Sequence, residues 1–183
     1  MATPIEKPRL RQYWDACLFI NYLTNLEPDK AEIMDQILIQ AEAPRSPFRI
    51  VISDLVVAEV RPSEAYEQTH RDRIEQLFDS DLPYLEPYAL TRTIAHMSRQ
   101  IGADFPNLTV ADSIHVATAI HARADVLFTY DGDRSTVRRR SGDLLRYNGQ
   151  IGDPPLTIET PWVYSGPLDA ALKQLSEPNQ QGQ

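Results

Sequence analysis

The chain has 183 residues, 42% of them hydrophobic and 24% charged, with one cysteine, seven glycines and a formal net charge of −8. That length holds one domain with a sizeable core; collagen, coiled-coil, disulfide-scaffold and wholly disordered classes are excluded by the composition. The acidic balance excludes a uniformly basic coat for nucleic acid. In chain order, Met1 to Arg11 holds Glu6, Lys7, Arg9 and Arg11 without an apolar run. This predicts no secretory leader. Nowhere does an apolar stretch approach the roughly 18 residues of a membrane span, and the lone Cys17 fits a reducing compartment. A cytoplasmic protein without membrane contact is expected.

Gln12-Tyr13-Trp14 reads as a first strand, running into Asp15. Ile33, Ile37 and Ala41 then repeat at helical spacing. Arg49-Ile50-Val51-Ile52 reads as a second strand, running into Ser53, and the apolar residues around Glu59 follow as helix. Leu82 to Leu85 is a weaker strand. Leu90, Ile94, Met97 and Ile101 form one helical stripe, and Val110, Ile114, Ala117 and Ala124 another. Val126-Leu127-Phe128-Thr129 reads as a strand leading to Asp131, and Leu156-Thr157-Ile158-Glu159 as the last strand. Prolines 44, 47, 83, 87, 154, 155 and 161 fall at the joints. Ser165 to Leu175 is a final helical candidate, and Ser176 to Gln183 reads as a frayed tail. Strands alternating with helices predict crossover units on a mostly parallel sheet, with ligands bound beyond the carboxyl ends of the strands.

Four carboxylates stand out by context: Asp15, Glu59, Asp112 and Asp131. Each has a purely structural alternative. Asp15 can cap the helix after the first strand. Glu59 can be a solvated helix residue. Asp112, three residues after Thr109, can complete a capping box, and Asp131-Gly132 can be a turn. Taken together they fit one cleft better. Asp15 and Asp131 leave parallel strands at the same sheet edge, while Glu59 and Asp112 lie on helices beside it.

The sequence resembles the PIN-domain ribonucleases, including VapC-type toxins. The segments that carry the resemblance are Tyr13 to Ile20, Ile52-Ser53 through Glu59-Val60, Ala111-Asp112-Ser113-Ile114-His115 through Ala119, and Leu127 to Asp131. It spans residues 10–162, leaving 163–183 as a C-terminal extension. The resemblance implies a three-layer α/β/α sandwich in which Asp15, Glu59, Asp112 and Asp131 are the catalytic, metal-binding quartet. Asp133 is expected as a fifth carboxylate, and Ser53, Thr129 and His115 as residues lining the site. It implies endonucleolytic hydrolysis of RNA to a 3′-hydroxyl and a 5′-phosphate. The implied setting is the toxin of a toxin–antitoxin pair, with an antitoxin protein as partner and a homodimer as assembly. The alternative is a catalytically silent PIN-like module that binds RNA or a protein.

Phosphodiester hydrolysis must place a water and stabilise charge on phosphate oxygens, and divalent ions do both. All-oxygen ligands favour Mg²⁺ or Mn²⁺ over Zn²⁺; no Cys/His cluster with zinc spacing occurs. Four converging carboxylates repel one another, so Asp112→Asn is expected to leave the metal-free protein equally or more stable. His115 lies one turn after Asp112 on the same helix face. It orients that carboxylate, touches substrate, or is simply a packed histidine bonded locally, the last being preferred. Arg134, Arg138, Arg139 and Arg140 form a basic run after the site. It reads as a substrate-binding rim for phosphates or as a solvated helix face. Asp131-Gly132-Asp133 also resembles the start of a haloacid-dehalogenase-like phosphatase, but too little chain follows for that domain. It matches a calcium loop poorly, since Thr136 and Gly142 stand at the positions that need Gly and Glu.

Overall fold

Alternation along the strands builds two cores from one sheet. The computed structural model describes residues 9–25, 27–61, 63–64, 66–133 and 143–163. Its strands are β1 (Leu10–Trp14), β2 (Phe48–Ser53), β3 (Leu85–Tyr88), β4 (Val126–Phe128) and β5 (Thr157–Glu159). All pairings are parallel, in the order β3-β2-β1-β4-β5. The helices are α1 (Ala16–Thr24), α2 (Pro28–Glu42), α3 (Asp54–Glu59), α4 (Gln68–Asp79), α5 (Arg92–Asp104) and α6 (Val110–His121), with a short 3-10 helix over Leu144–Tyr147.

Trp14, Ile50, Ile52 and Phe128 face one side of the sheet. There they pack with Leu18 and Phe19 of α1, Met34, Ile37 and Leu38 of α2, and Ile74 and Leu77 of α4. Tyr13, Val51 and Leu127 face the other side. Their partners are Ile94 and Ile101 of α5, Val116, Ala117 and Ala119 of α6, and Leu144. The result is the expected α/β/α sandwich. Small residues along α6 let it lie close to the sheet, and Ala117 and Ala119 are fully buried.

Strand order decides where a site can form. From β1 the chain moves outward through β2 and β3, then returns to the far side of β1 for β4 and β5. The order therefore reverses between β1 and β4. That switch point opens a crevice at the carboxyl ends of the two strands, next to Asp15 and Asp131.

Several expected elements shift. The weak strand lies at Leu85–Tyr88 rather than 82–85; as an edge strand it tolerates Pro87 in its middle. Leu90 precedes α5, which starts after the Thr91 cap, whose hydroxyl accepts from the Ile94 N–H at 3.3 Å. Val110 is the first residue of α6 and is 78% exposed, and Ala124 lies beyond its end. Helix α4 escapes the apolar pattern because only Ile74 and Leu77 of its twelve residues are buried. The helical candidate at 165–175 and the tail at 176–183 lie outside the described residues. No helix among the described residues is long and apolar enough to cross a membrane.

Candidate active site

β1 ends at Trp14 because its last hydrogen bond runs from the Asp15 N–H to the Phe128 carbonyl of β4, at 3.1 Å. Asp15 then stands at the N-cap of α1 without a side-chain cap bond, so its carboxylate is free for other work. Oδ2 accepts from the Thr129 hydroxyl at 2.7 Å and from the Cys17 thiol at 3.1 Å. Oδ1 faces His115 Nε2 at 3.3 Å. Thr129 itself accepts from the Asp131 N–H at 3.0 Å, which ties the end of β4 to the end of β1. Burial, reinforced by the Asp15 charge, pushes the Cys17 thiol well up. It stays a neutral donor and is not a reactive thiolate.

Glu59 is the last residue of α3. That helix is capped by Ser53, whose Oγ accepts from the Val56 N–H at 3.4 Å. The Glu59 side chain, 33% exposed, brings Oε2 to 3.0 Å from His115 Nε2. Asp112 closes a capping box at the start of α6: Thr109 Oγ1 accepts from the Asp112 N–H at 3.1 Å, and Asp112 Oδ2 accepts from the Thr109 N–H at 2.9 Å. Asp131 follows β4, and the chain turns at Gly132, whose φ of +95° suits glycine. One cavity of about 630 Å³ is lined by Asp15, Glu59, Asp112, His115 and Asp131 together.

The four expected carboxylates thus line one cavity, and the structural alternatives for Asp112 and Asp131 hold at the same time. Asp133 does not join them. Its carboxylate pairs with Lys30 Nζ at 2.9 Å, and Lys30 also meets Glu27 at 2.7 Å and the face of Tyr130. Ser53 and Thr129 stand behind the wall rather than in it, each almost wholly buried. Arg134, Arg138, Arg139 and Arg140 lie outside the described residues.

His115 departs most from its preferred reading. It is not bonded locally. Nδ1 meets the Tyr13 hydroxyl at 2.8 Å, that hydroxyl meets Ser53 Oγ at 2.9 Å, and Nε2 lies between Asp15 and Glu59. Burial lowers the imidazole pKa, but Asp15, Glu59 and Asp112 outweigh it and raise the value. Burial, reinforced by Asp15 and Glu59, keeps the Tyr13 phenol protonated. The sequence reading missed Tyr13 because a strand residue one step from Trp14 looks like core. It also missed Arg61 and Tyr66, which line the cavity mouth without any motif to announce them. Arg61 is exposed.

The donor set suits a divalent ion. Asp15, Glu59 and His115 each present one ligand atom, and these atoms lie within 4.8 Å of one another. Asp112 and Asp131 add oxygen donors to the same cavity, and oxygen-rich sets hold Mg²⁺ or Mn²⁺.

Asp112 yields a first prediction. In Asp112→Asn the amide oxygen still accepts from Thr109, and repulsion falls, so metal-free stability stays near wild type. Asp112→Ala loses the cap contact and about 1 kcal/mol. Denaturant melts in EDTA distinguish them; an equal loss in both variants would make the carboxylate charge itself a structural requirement.

A parallel α/β/α sandwich with an acidic cavity at the switch point of its sheet defines the class of protein. The chain belongs to the PIN-domain family, whose model matches residues 13–140. In fold it is similar to VapBC2 from Rickettsia felis, solved bound to a DNA fragment from their promoter. The TM-score is 0.53 over 84% of this chain and 99% of that chain, at 12% identity. No curated protein matches the chain.

Proposed function

We propose that this PIN-domain protein is a metal-dependent endoribonuclease. The observation that carries the reading is the meeting of Asp15, Glu59, Asp112 and Asp131 in one cavity at the carboxyl ends of β1 and β4. These residues hold Mg²⁺ or Mn²⁺, whose chemistry is to polarise the phosphoryl oxygens and stabilise charge on the leaving oxygen.

The protein's own groups do the positioning. Thr129 and Cys17 hold the far oxygen of Asp15, so Oδ1 stays turned into the cavity. Glu59 is the more exposed of the two carboxylates bonded to His115. Arg61 offers a cation at the mouth, where a guanidinium suits a phosphate of the RNA backbone. Arg134, Arg138 and Arg139, which follow Asp131 in the sequence, share this phosphate-binding role.

The same proposal includes the setting. The protein acts in the cytoplasm as the toxin of a toxin–antitoxin pair, held silent by an antitoxin over the cavity, and works as a homodimer. Its likeness in fold to VapBC2 supports that setting.

Cleavage of 5′-labelled single-stranded RNA tests the reading. With Mn²⁺ or Mg²⁺ the protein is expected to cut, leaving 5′-phosphate and 3′-hydroxyl ends, and EDTA is expected to stop it. Absence of both cleavage and Mn²⁺ binding would overturn the reading in favour of a silent binding module.

A further inference from the structure

We propose that His115 supplies a nitrogen ligand to the divalent ion, making the centre a mixed imidazole–carboxylate site rather than the all-carboxylate one the sequence suggests. The inference rests on the metal-dependent reading above.

Three observations carry it. The first is spacing. His115 Nε2 lies 3.0 Å from Glu59 Oε2 and 3.3 Å from Asp15 Oδ1. Two ligands at right angles, each about 2.1 Å from one ion, lie about 3 Å apart. Each carboxylate oxygen therefore stands at the spacing of an adjacent ligand from the imidazole nitrogen, and all three atoms lie within 4.8 Å of one another. The second is competition for the other carboxylates. Asp112 Oδ2 is engaged by the Thr109 N–H, and Asp131 is not in the close trio. The imidazole stands nearer to Asp15 and Glu59 than a fourth acid does.

The third is support from behind. A ligating histidine characteristically has its outer nitrogen held by a partner that fixes the ring. Here Nδ1 is held by the Tyr13 hydroxyl, Tyr13 by Ser53, and Ser53 by the Val56 N–H. A tyrosine hydroxyl both donates and accepts, so it serves Nδ1 whether or not that atom carries the proton. The ring is 2% exposed and Tyr13 is fully buried, so Nε2 is aimed into the cavity by packing. This gives Tyr13 a purpose as a positioning residue. An imidazole in the shell also shifts preference from Mg²⁺ toward Mn²⁺.

The competing role for His115 is a buried counter-cation to Asp15 and Glu59, outside the metal shell. Electron spin echo spectroscopy of Mn²⁺ bound to the full chain separates the two. The expected spectrum shows modulation from a directly bound imidazole nitrogen. Labelling histidine with ¹⁵N should change it, and His115→Gln should abolish it while weakening Mn²⁺ binding at least about tenfold. If His115→Gln does not fold, Tyr13→Phe takes its place. It should retain the nitrogen signal but bind Mn²⁺ about 10–100-fold more weakly. Mn²⁺ bound with oxygen ligands alone overturns the inference and leaves the metal-dependent reading standing. Absence of Mn²⁺ binding overturns both.

Discussion

Asp15→Asn is expected to lower kcat/KM for RNA by at least about a hundredfold, because a metal centre supplies several kcal/mol of transition-state stabilisation and about 1.4 kcal/mol corresponds to each tenfold. Asp15 is the residue at which the most constraints meet. Thr129 and Cys17 hold one oxygen and His115 faces the other. An amide can satisfy only part of this. If its oxygen keeps the Thr129 bond, its NH₂ group is left facing His115, and the negative charge is gone. The rise in melting temperature that Mn²⁺ causes in the wild type should shrink or vanish with it. Retained metal-dependent cleavage in the variant would remove Asp15 from the centre.

The same substitution changes the pH dependence of metal-free stability. His115 has a folded-state pKa above its unfolded value of about 6.5. A group shifted in that direction contributes stability in full below the unfolded value and loses it as pH rises through the folded one. Asp15 is the first charge that raises it, after the opposing effect of burial. In Asp15→Asn the decline in stability above pH 6.5 should therefore be flatter than in wild type, as denaturant melts across pH would read.

Phe128→Ala is expected to destabilise the fold by about 3–5 kcal/mol, the cost of removing a buried phenylalanine from a well-packed core. For a chain of this size that corresponds to a fall in melting temperature of roughly 6–20 °C. Phe128 is fully buried at the end of β4, packs in one core with Trp14 and Phe19, and meets the Trp162 ring edge-on at 5.6 Å. Its carbonyl also accepts the bond that ends β1 at Asp15. The cavity left would loosen the strand that carries Thr129 and Asp131, so activity should fall along with stability. A denaturant-measured loss below about 1 kcal/mol would mean that the neighbouring helices collapse into the gap.

Much of this protein was legible in its sequence. Strands running into Asp15, Ser53 and Asp131 were visible because short apolar runs end abruptly at polar residues. The Ala-rich α6, with Asp112 in its first turn, was visible because its pattern is local. Where burial follows a simple period and the cap sits within four residues, sequence and structure agree. Agreement fails where long-range packing overrides the local pattern. Val110 reads as core but sits at the exposed first position of α6. The strand near Leu85 takes its bounds from pairing with β2, and α4 is recognisable only by what it covers.

The division within the site has the same cause. By itself the sequence determined which carboxylates are available and that a parallel sheet would carry two of them to one edge, since both follow from residue order and periodicity. Only the tertiary structure decided their company. It paired Asp133 with Lys30, set Ser53 and Thr129 behind the wall, and brought His115 against Asp15 and Glu59 with Tyr13 at its back. His115 and Asp15 are separated by 100 positions in the chain and by 3.3 Å in space. That closeness comes from the sheet register and from how near α6 packs to β1, which depend on the whole core and on no local segment.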